Sequence, residues 1–170
     1  VLALAGCSDI DVTTAQDPST DFSKIRTWAW YDAINNDAPD PELSELARRR
    51  IKNCIQSELE ARGYSWGPAD KADMIVKWVA VAGGSVDLAP VGFRFGIDDP
   101  ATRGPTRGPS TVSEGSLVID VLSNKTPRKV IWRGTAEATV NRDLPDEIRQ
   151  SRIQKAVAKT LASFPAHASQ

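Results

Sequence analysis

The amino-acid sequence predicts an α+β domain: a mostly antiparallel sheet of five to six strands with two helices packed on one face. Segments in which apolar and polar residues alternate, as they do in strands, supply the sheet. Two longer segments, 41–62 and 145–164, repeat apolar residues every three or four positions, which is typical of a helix with one buried face. The polar segment 124–127 separates two strand segments and predicts a hairpin.

The strands are predicted at 11–14, 24–30, 72–81, 86–95, 116–122 and 129–140. Segment 72–81 is apolar on both faces except at Lys77, so we expect it near the centre of the sheet. Trp28 and Trp30 are two residues apart and share a face. They form either part of the core, which we favour, or a platform on which a small ligand stacks.

The first helix is predicted to begin with Asp40 as N-cap and Pro41 as its first residue, and to end at Gly63. The second is predicted to open at Pro145 and stop at Pro165, which leaves 166–170 as a frayed tail. The opposite face of the sheet is expected to be more polar and to meet solvent or a partner. Its candidate residues are Arg133, Thr135, Glu137, Thr27 and Asp120.

The small residues Gly134, Ala136 and Ala138 share a face of the last strand, where they would let a helix approach closely. The basic residues 48–50 in the first helix form part of a solvated face or, as the alternative, a docking patch. Cys54 lies on the apolar side of that helix, where a thiol serves as a small buried hydrophobe or as a reactive group.

The length and charge of the chain suit one domain, predicted at 11–165, and argue against nucleic acid as a partner. The 170 residues carry a formal net charge of −1, so no basic surface of the kind that binds phosphates is expected. After the first residues, no apolar run approaches the roughly 20 residues that span a bilayer.

Segment 89–110 differs in composition from the rest. Thr102–Pro105 is repeated as Thr106–Pro109 inside a stretch rich in Gly and Pro, which predicts a flexible loop. Arg94, Arg103 and Arg107 make this loop locally basic, and together with Arg133 they are the predicted partner surface. Of the two interpretations of this loop, a partner surface or an unselected flexible insertion, we favour the insertion.

The segment Leu4-Ala5-Gly6-Cys7 resembles the bacterial lipobox, in which an aliphatic and two small residues precede a cysteine. The resemblance implies that residues 1–6 are the end of a lipoprotein signal peptide and that Cys7 receives a diacylglyceryl thioether and fatty acids such as palmitate. Residues 7–10 would then be the lipidated cysteine and a short spacer. Ser8 after the cysteine points to the periplasmic face of the outer membrane of a Gram-negative cell. The alternative is a buried strand or helix start.

Several short motifs resemble a family of bacterial envelope lipoproteins known as domain of unknown function 4136. The motifs are 17–30, 58–59 with 62–64, 72–73, 114–120, 132–136 and 164–165. The resemblance covers nearly all of the expected mature chain, and it implies no activity.

No catalytic residues, metal site or cofactor are expected from the sequence. The single histidine, His167, has no second metal ligand beside it, and no glycine pattern suits a phosphate. We therefore expect a non-enzymatic module, held to the membrane by its lipid, that binds an envelope protein or a cell-wall component. The alternatives are a hydrolase using carboxylates of loop 89–110 or Asp17 and Asp21, and a small-ligand binder using Trp28 and Trp30.

Overall fold

The computed structural model describes residues 10–31, 43–81, 85–87, 111–113, 115–141 and 143–167. The strands within these ranges are β1 Asp11–Gln16, β2 Thr27–Trp30, β3 Ser65–Trp66, β4 Met74–Val81, β5 Ser85–Asp87, β6 Thr111–Ser113, β7 Ser116–Ser123 and β8 Val130–Glu137. The helices are α1 Glu45–Ala61 and α2 Asp146–Leu161, with a short 3-10 helix at Phe22–Lys24. The predicted α+β class is confirmed.

Six strands form one sheet in the order β1-β8-β7-β4-β2-β3, and β5 pairs with β6 in a second, two-stranded sheet. The large sheet is mixed, because β2 is parallel to both β3 and β4 while the other neighbours are antiparallel. Parallel neighbours need a crossover connection, and α1 supplies it between β2 and β3. The strand predicted at 86–95 begins as β5, but its partner is β6; residues 88–95 lie outside the described ranges.

Two rows of paired residues define the ends of the large sheet. Asp11 lies opposite Glu137, Glu137 opposite Ser116, and Ser116 opposite Val81; we call this row the Asp11 end. Trp66 lies opposite Trp28, Trp28 opposite Met74, and Met74 opposite Ser123; we call this row the Met74 end. Seven residue steps along β7, from Ser116 to Ser123, separate the two ends, a distance of about 23 Å at the usual rise per strand residue.

Both helices run from the Asp11 end to the Met74 end. Near its start, α2 is fixed by Arg152, whose guanidinium donates to the carbonyl of Thr139 at 2.6 Å, just beyond the end of β8. Beyond its last residue, the ring of Phe164 packs 5.1 Å from that of Trp132. Helix α1 leads directly into β3, where the Ser65 amide donates to the Arg26 carbonyl at 2.9 Å. The two helices are therefore parallel.

The main core lies between these helices and the sheet. Its largest fully buried side chains include Trp28, Trp132, Ile55, Leu59 and Leu161. Trp30 packs edge-to-face on Trp28 with ring centroids 4.9 Å apart, and it is partly buried against the same core. The favoured interpretation of the two tryptophans as core residues is confirmed, and the central position of β4 is confirmed as well.

The other face of the sheet is less polar than expected. Ala29, Ile75 and Leu122 form a second apolar cluster there. Asp120 and Thr135, expected to meet solvent or a partner, are only 6% and 2% exposed, so that expectation was wrong for both residues. Alternation along a strand tells which residues share a face, but it does not tell whether that face is covered.

The first helix begins later than predicted. Leu43 and Ser44 are not helical, and the Ser44 hydroxyl accepts a hydrogen bond from the Ala47 amide, so Ser44 is the N-cap and Glu45 the first residue. The predicted end at Gly63 is confirmed: this glycine has a φ of +87°, and the Tyr64 amide donates to the Leu59 carbonyl at 3.1 Å. Together with the bond from the Gly63 amide to the Glu60 carbonyl at 2.9 Å, this bond forms a Schellman cap.

His167 was predicted to lie on a frayed tail, but it is fixed to the end of α1. Its amide donates to the Arg62 carbonyl at 2.8 Å, and the Arg26 guanidinium lies 3.0 Å from its Nε2. Because arginine is always a donor, Nε2 accepts this hydrogen bond. Tyr64 adds a bond from its hydroxyl to the Pro165 carbonyl at 2.9 Å. The segment after α2 is therefore part of the folded domain as far as residue 167.

We predict that Gly134→Ala destabilises the domain by about 1–3 kcal/mol, the usual effect of overpacking a core. A Cβ at this position would lie 2.4 Å from Cη2 of Trp132 and 2.6 Å from Cγ2 of Thr160. Urea denaturation followed by circular dichroism measures the change. Gly67→Ala is the control, because its Cβ would meet its nearest neighbour, Cβ of Thr27, only at 4.0 Å. Equal stability of the two variants would contradict the packing at Gly134.

Candidate functional site

A groove of about 580 Å³ runs along the outer side of the two parallel helices. Side chains of α1 and α2 line it: Arg50, Asn53, Cys54, Ser57, Glu58, Gln150, Ser151, Gln154, Lys155 and Ala158. Five of these ten are uncharged amides or hydroxyls, and each of the five is exposed. Hydrogen-bonding side chains therefore form a large part of the solvent-facing lining of the groove.

Ion pairs mark the two ends of the groove. At one end, Arg50 bonds the carboxylate of Asp146, the first residue of α2, with Nη1 2.9 Å from Oδ1. The bond from Arg50 lowers the pKa of the Asp146 carboxyl and raises that of the guanidinium. At the other end, Arg62 bonds both the carboxylate and the carbonyl oxygen of Glu58. The first pair ties α1 to the start of α2, while the second lies within α1 and its C-terminal cap. Neither pair engages the described amide side chains between them.

Cys54 lies in this groove and is partly buried against the core. Burial raises the pKa of its thiol, and the nearby Glu58 carboxylate raises it further. A thiol with a raised pKa is mostly protonated near neutral pH and is a poor nucleophile. The structural role predicted for Cys54 is therefore the one that its surroundings favour.

The chemistry available in the groove is hydrogen bonding. Asn53, Gln150 and Gln154 can each donate and accept, as peptide and sugar groups do. Small-molecule pockets, in contrast, are lined mostly by apolar and aromatic side chains. The groove suits a polar surface or chain segment better than an apolar ligand.

Arg133, one of the predicted partner-surface residues, is tied into an ion pair inside the sheet. Its Nε and Nη2 donate to Oδ1 and Oδ2 of Asp120 at 2.6 and 2.7 Å. Burial alone would lower the pKa of Arg133, but these two bonds to Asp120 raise it. Arg94, Arg103 and Arg107 lie outside the described residues, as does Cys7. The predicted partner surface stays a prediction.

The carboxylates proposed for a hydrolase at Asp17 and Asp21 hold local structure. Lys129 donates to Asp17 at 2.7 Å and Ser19 donates to it at 2.7 Å; these bonds lower the pKa of the Asp17 carboxyl. Asp21 caps the 3-10 helix, and its bond from the Ser23 hydroxyl lowers its pKa. A carboxyl with a lowered pKa is ionised at neutral pH and is a poor general acid.

Asp73 joins the start of β2 to β4, a role that the sequence did not reveal. Its Oδ2 accepts bonds from the Arg26 amide, the Thr27 amide and the Thr27 hydroxyl, each at 2.9 Å. Burial raises the pKa of this carboxyl, but the three bonds outweigh it and the net pKa is lowered. The motif Ala72-Asp73 stands out in the sequence, but Thr27, whose hydroxyl donates to Asp73, lies 46 positions away and cannot be inferred from it.

The described part of the chain contains no cluster of three or more histidine, cysteine or carboxylate side chains able to hold a metal ion. Within the same residues, neither helix is long and apolar enough to cross a bilayer.

We predict that Arg133→Met destabilises the domain by about 3–5 kcal/mol, because it leaves the buried Asp120 carboxylate without its partner. Replacing both residues, with Asp120→Leu added, should recover part of that loss. Arg149→Met is the control: its exposed pair with Asp146 contributes at most about 1 kcal/mol. Urea denaturation measures all three variants. A double variant no more stable than Arg133→Met would contradict the ion pair as the source of the loss.

We predict that Cys54 in a Cys7→Ser chain reacts with iodoacetamide more slowly than the same thiol in urea, at any pH near neutrality. The raised pKa of the folded thiol leaves less thiolate, and the rate should still be rising at a pH where the unfolded thiol has levelled off. Mass spectrometry of the alkylated protein gives both rates. Equal rates in the folded and unfolded chains would contradict the burial of this thiol.

Comparison with known families and structures places this chain. The sequence model for "Domain of unknown function (DUF4136)" matches residues 12–166. The comparison with curated proteins gave no match.

Solved structures share the fold at low sequence identity. A DUF4136 family protein from Bacteroides thetaiotaomicron superimposes with a TM-score of 0.63 at 16% identity, covering 95% of this chain and 98% of that one. The PelC dodecamer from Paraburkholderia phytofirmans gives 0.50 at 11% identity, covering 93% and 99%. A PDZ domain protein from Parabacteroides distasonis gives 0.55 at 15% identity over 94% of this chain, which spans only 37% of that protein. With its family sequence pattern and this fold, the chain belongs to the DUF4136 family.

Proposed function

We propose that the protein is a lipoprotein on the periplasmic face of the outer membrane and that it binds a polar partner of the cell envelope without catalysing a reaction. Its anchor is a lipid on Cys7, and its binding surface is the groove between α1 and α2. The observation that carries this proposal is the short distance between the lipobox cysteine and the folded domain.

Only Ser8, Asp9 and Ile10 separate Cys7 from the first residue of β1. Three extended residues reach about 10 Å, so a lipid on this cysteine would hold the domain directly against the bilayer. Ile10 is already buried in the core, which shortens the usable spacer further. Two or three acyl chains, at about 0.8 kcal/mol per buried methylene, make such an anchor stable.

The binding role is supported by the polar groove. Its five amide and hydroxyl side chains bond to none of the other described groups, so they remain available to a partner. A protein segment and a cell-wall glycan both carry the donors and acceptors that these groups match. PelC of P. phytofirmans is a dodecamer in its solved structure, which makes a second copy of this chain one of the proteins to test.

The alternatives receive less support. Asp17 and Asp21 are engaged in structural bonds with lowered pKa values, which disfavours a hydrolase built on them. The hydrolase with carboxylates from loop 89–110 rests on residues outside the described ranges. The small-ligand platform needs an accessible Trp28, whose side chain is fully buried.

We predict that Cys7→Ser abolishes incorporation of an alkyne-labelled palmitate into the protein in Gram-negative cells and releases the chain from the membrane fraction. The reason is that Cys7 is the sulfur that would carry the thioether. Cys54→Ser is the matched control and should keep both the label and the membrane location, because the chain has two cysteines. Labelling that survives Cys7→Ser would remove the anchor from the proposal.

A photo-crosslinking amino acid at Gln154 tests the binding surface in the same cells. We expect it to capture a reproducible partner, while the same group at Lys24, an exposed residue at the Met74 end, does not. Mass spectrometry then distinguishes a second copy, another envelope protein and a glycan. Recovery of bulk phospholipid alone at Gln154 would contradict binding through the groove.

A further inference from the structure

We propose that the Asp11 end of the domain rests on the bilayer and that Leu46 and Ile148 contact its lipid. This contact surface, the start of β1 with the first turns of α1 and α2, deepens the proposed function and rests on the lipid at Cys7. It gives the anchored domain one defined orientation instead of free rotation about its tether.

The chain topology brings the three parts of this surface to one end. Strand β1 begins there, opposite Glu137, and both helices begin there because they run parallel towards the Met74 end. Arg50 of α1 is level with Asp146, the first residue of α2, through their ion pair. Leu46 comes four residues before Arg50, so it lies about 6 Å further along α1 towards that end than Arg50 does.

Exposed apolar side chains concentrate at this end. Among the described residues, three large hydrophobic side chains are exposed: Leu46 at 49%, Ile148 at 48% and Trp66 at 62%. Leu46 is the second residue of α1, and Ile148 is the third residue of α2. Single exposed apolar residues are ordinary on protein surfaces. Leu46 and Ile148 are relevant because they lie at the end of the domain that the proposed lipid tether would hold at the membrane.

The short segment between Cys7 and β1 limits how far Leu46 and Ile148 can lie from the bilayer. With three residues between Cys7 and Asp11, the start of β1 stays within four residue steps, about 14 Å, of the Cα atom of the lipidated cysteine. An apolar side chain that protrudes from the same end therefore meets the headgroup and upper acyl region of the leaflet. Trp66 belongs to the opposite row, about 23 Å away along the sheet, and stays in water.

The charged side chains at this end do not favour binding to anionic lipid over zwitterionic lipid. Exposed Asp11 and Glu137 lie at the edge of the sheet at this end. Exposed Glu45 and Arg49 flank Leu46, and exposed Glu147 and Arg149 flank Ile148. Opposite charges at neighbouring positions leave little net attraction to an anionic surface. The contact is therefore expected on zwitterionic phosphatidylcholine as well as on vesicles that contain phosphatidylglycerol.

The test uses the full-length acylated protein in phosphatidylcholine vesicles. Leu46→Cys, Ile148→Cys and Trp66→Cys are each made with Cys54→Ser and labelled with a nitroxide; Cys7, carrying lipid, does not react. Electron paramagnetic resonance then measures collisions with oxygen, which enriches in lipid, and with a nickel chelate, which stays in water. We expect a several-fold loss of nickel collisions and a gain of oxygen collisions at 46 and 148, with water-like values at 66.

Mass spectrometry of the same samples shows whether Cys7 carries lipid, so the anchor and the contact surface can be judged separately. If Cys7 carries lipid and positions 46 and 148 are as wet as 66, the contact is wrong while the anchor stands. If Cys7 carries no lipid in cells, both fail. Protection of all three positions would show adsorption without a preferred end and would also overturn the contact.

Hydrogen exchange of the chain with natural side chains gives a second measurement that needs no labels. In vesicles, the amides at 46–49 and 147–150 should exchange more slowly than in the soluble Cys7→Ser chain, while those at 65–67 should not change. Unchanged exchange in both helix starts would overturn the contact even if every labelled variant failed to fold.

Discussion

The close approach of α2 to β8 at Gly134 is the contact on which the rest of the structure depends. A hydrogen in place of a side chain leaves room for Thr160 and the ring of Trp132 on the same spot. With α2 seated there, α1 fills the remaining width of the sheet, and the groove between the two helices follows. The seat of α2, which forms one wall of the candidate groove, thus depends on the absence of a side chain at Gly134.

The direction of the helices matters as much as their position. Parallel neighbours place two positive helix ends side by side, which is unfavourable unless negative charge lies nearby. Glu45, Asp146 and Glu147 occupy the first turns, and Arg50 ties α1 to Asp146. The acidic first turns thus offset the repulsion of the aligned helix dipoles. Among the described residues of this end, Leu46 and Ile148 are the exposed large apolar side chains.

Local patterns in the sequence predicted most of the elements. The helical stripes, the hairpin of β7 and β8, the central β4 and the glycine that ends α1 follow from periodicity and backbone chemistry. The parallel pairing of β2 and the two-residue β3 did not, because a strand's partner is decided by contacts far along the chain. The groove was missed for the same reason: Asn53 and Gln154 look like ordinary solvated residues until two helices lie side by side. Ser44 was overlooked as a cap because Asp40 and Pro41 form a stronger local signal.

Strand β1 combines two properties that matter for an attachment near its start. It is the edge strand of the large sheet, and its six residues pair with β8 in continuous antiparallel register from Asp11 to Gln16. Hydrogen bonds of such a ladder lie perpendicular to the strand. A pull on residue 10 along the strand therefore loads the whole ladder in shear, so its bonds must yield together and not one after another. An edge strand held in this way resists mechanical extraction far better than its exposed position suggests.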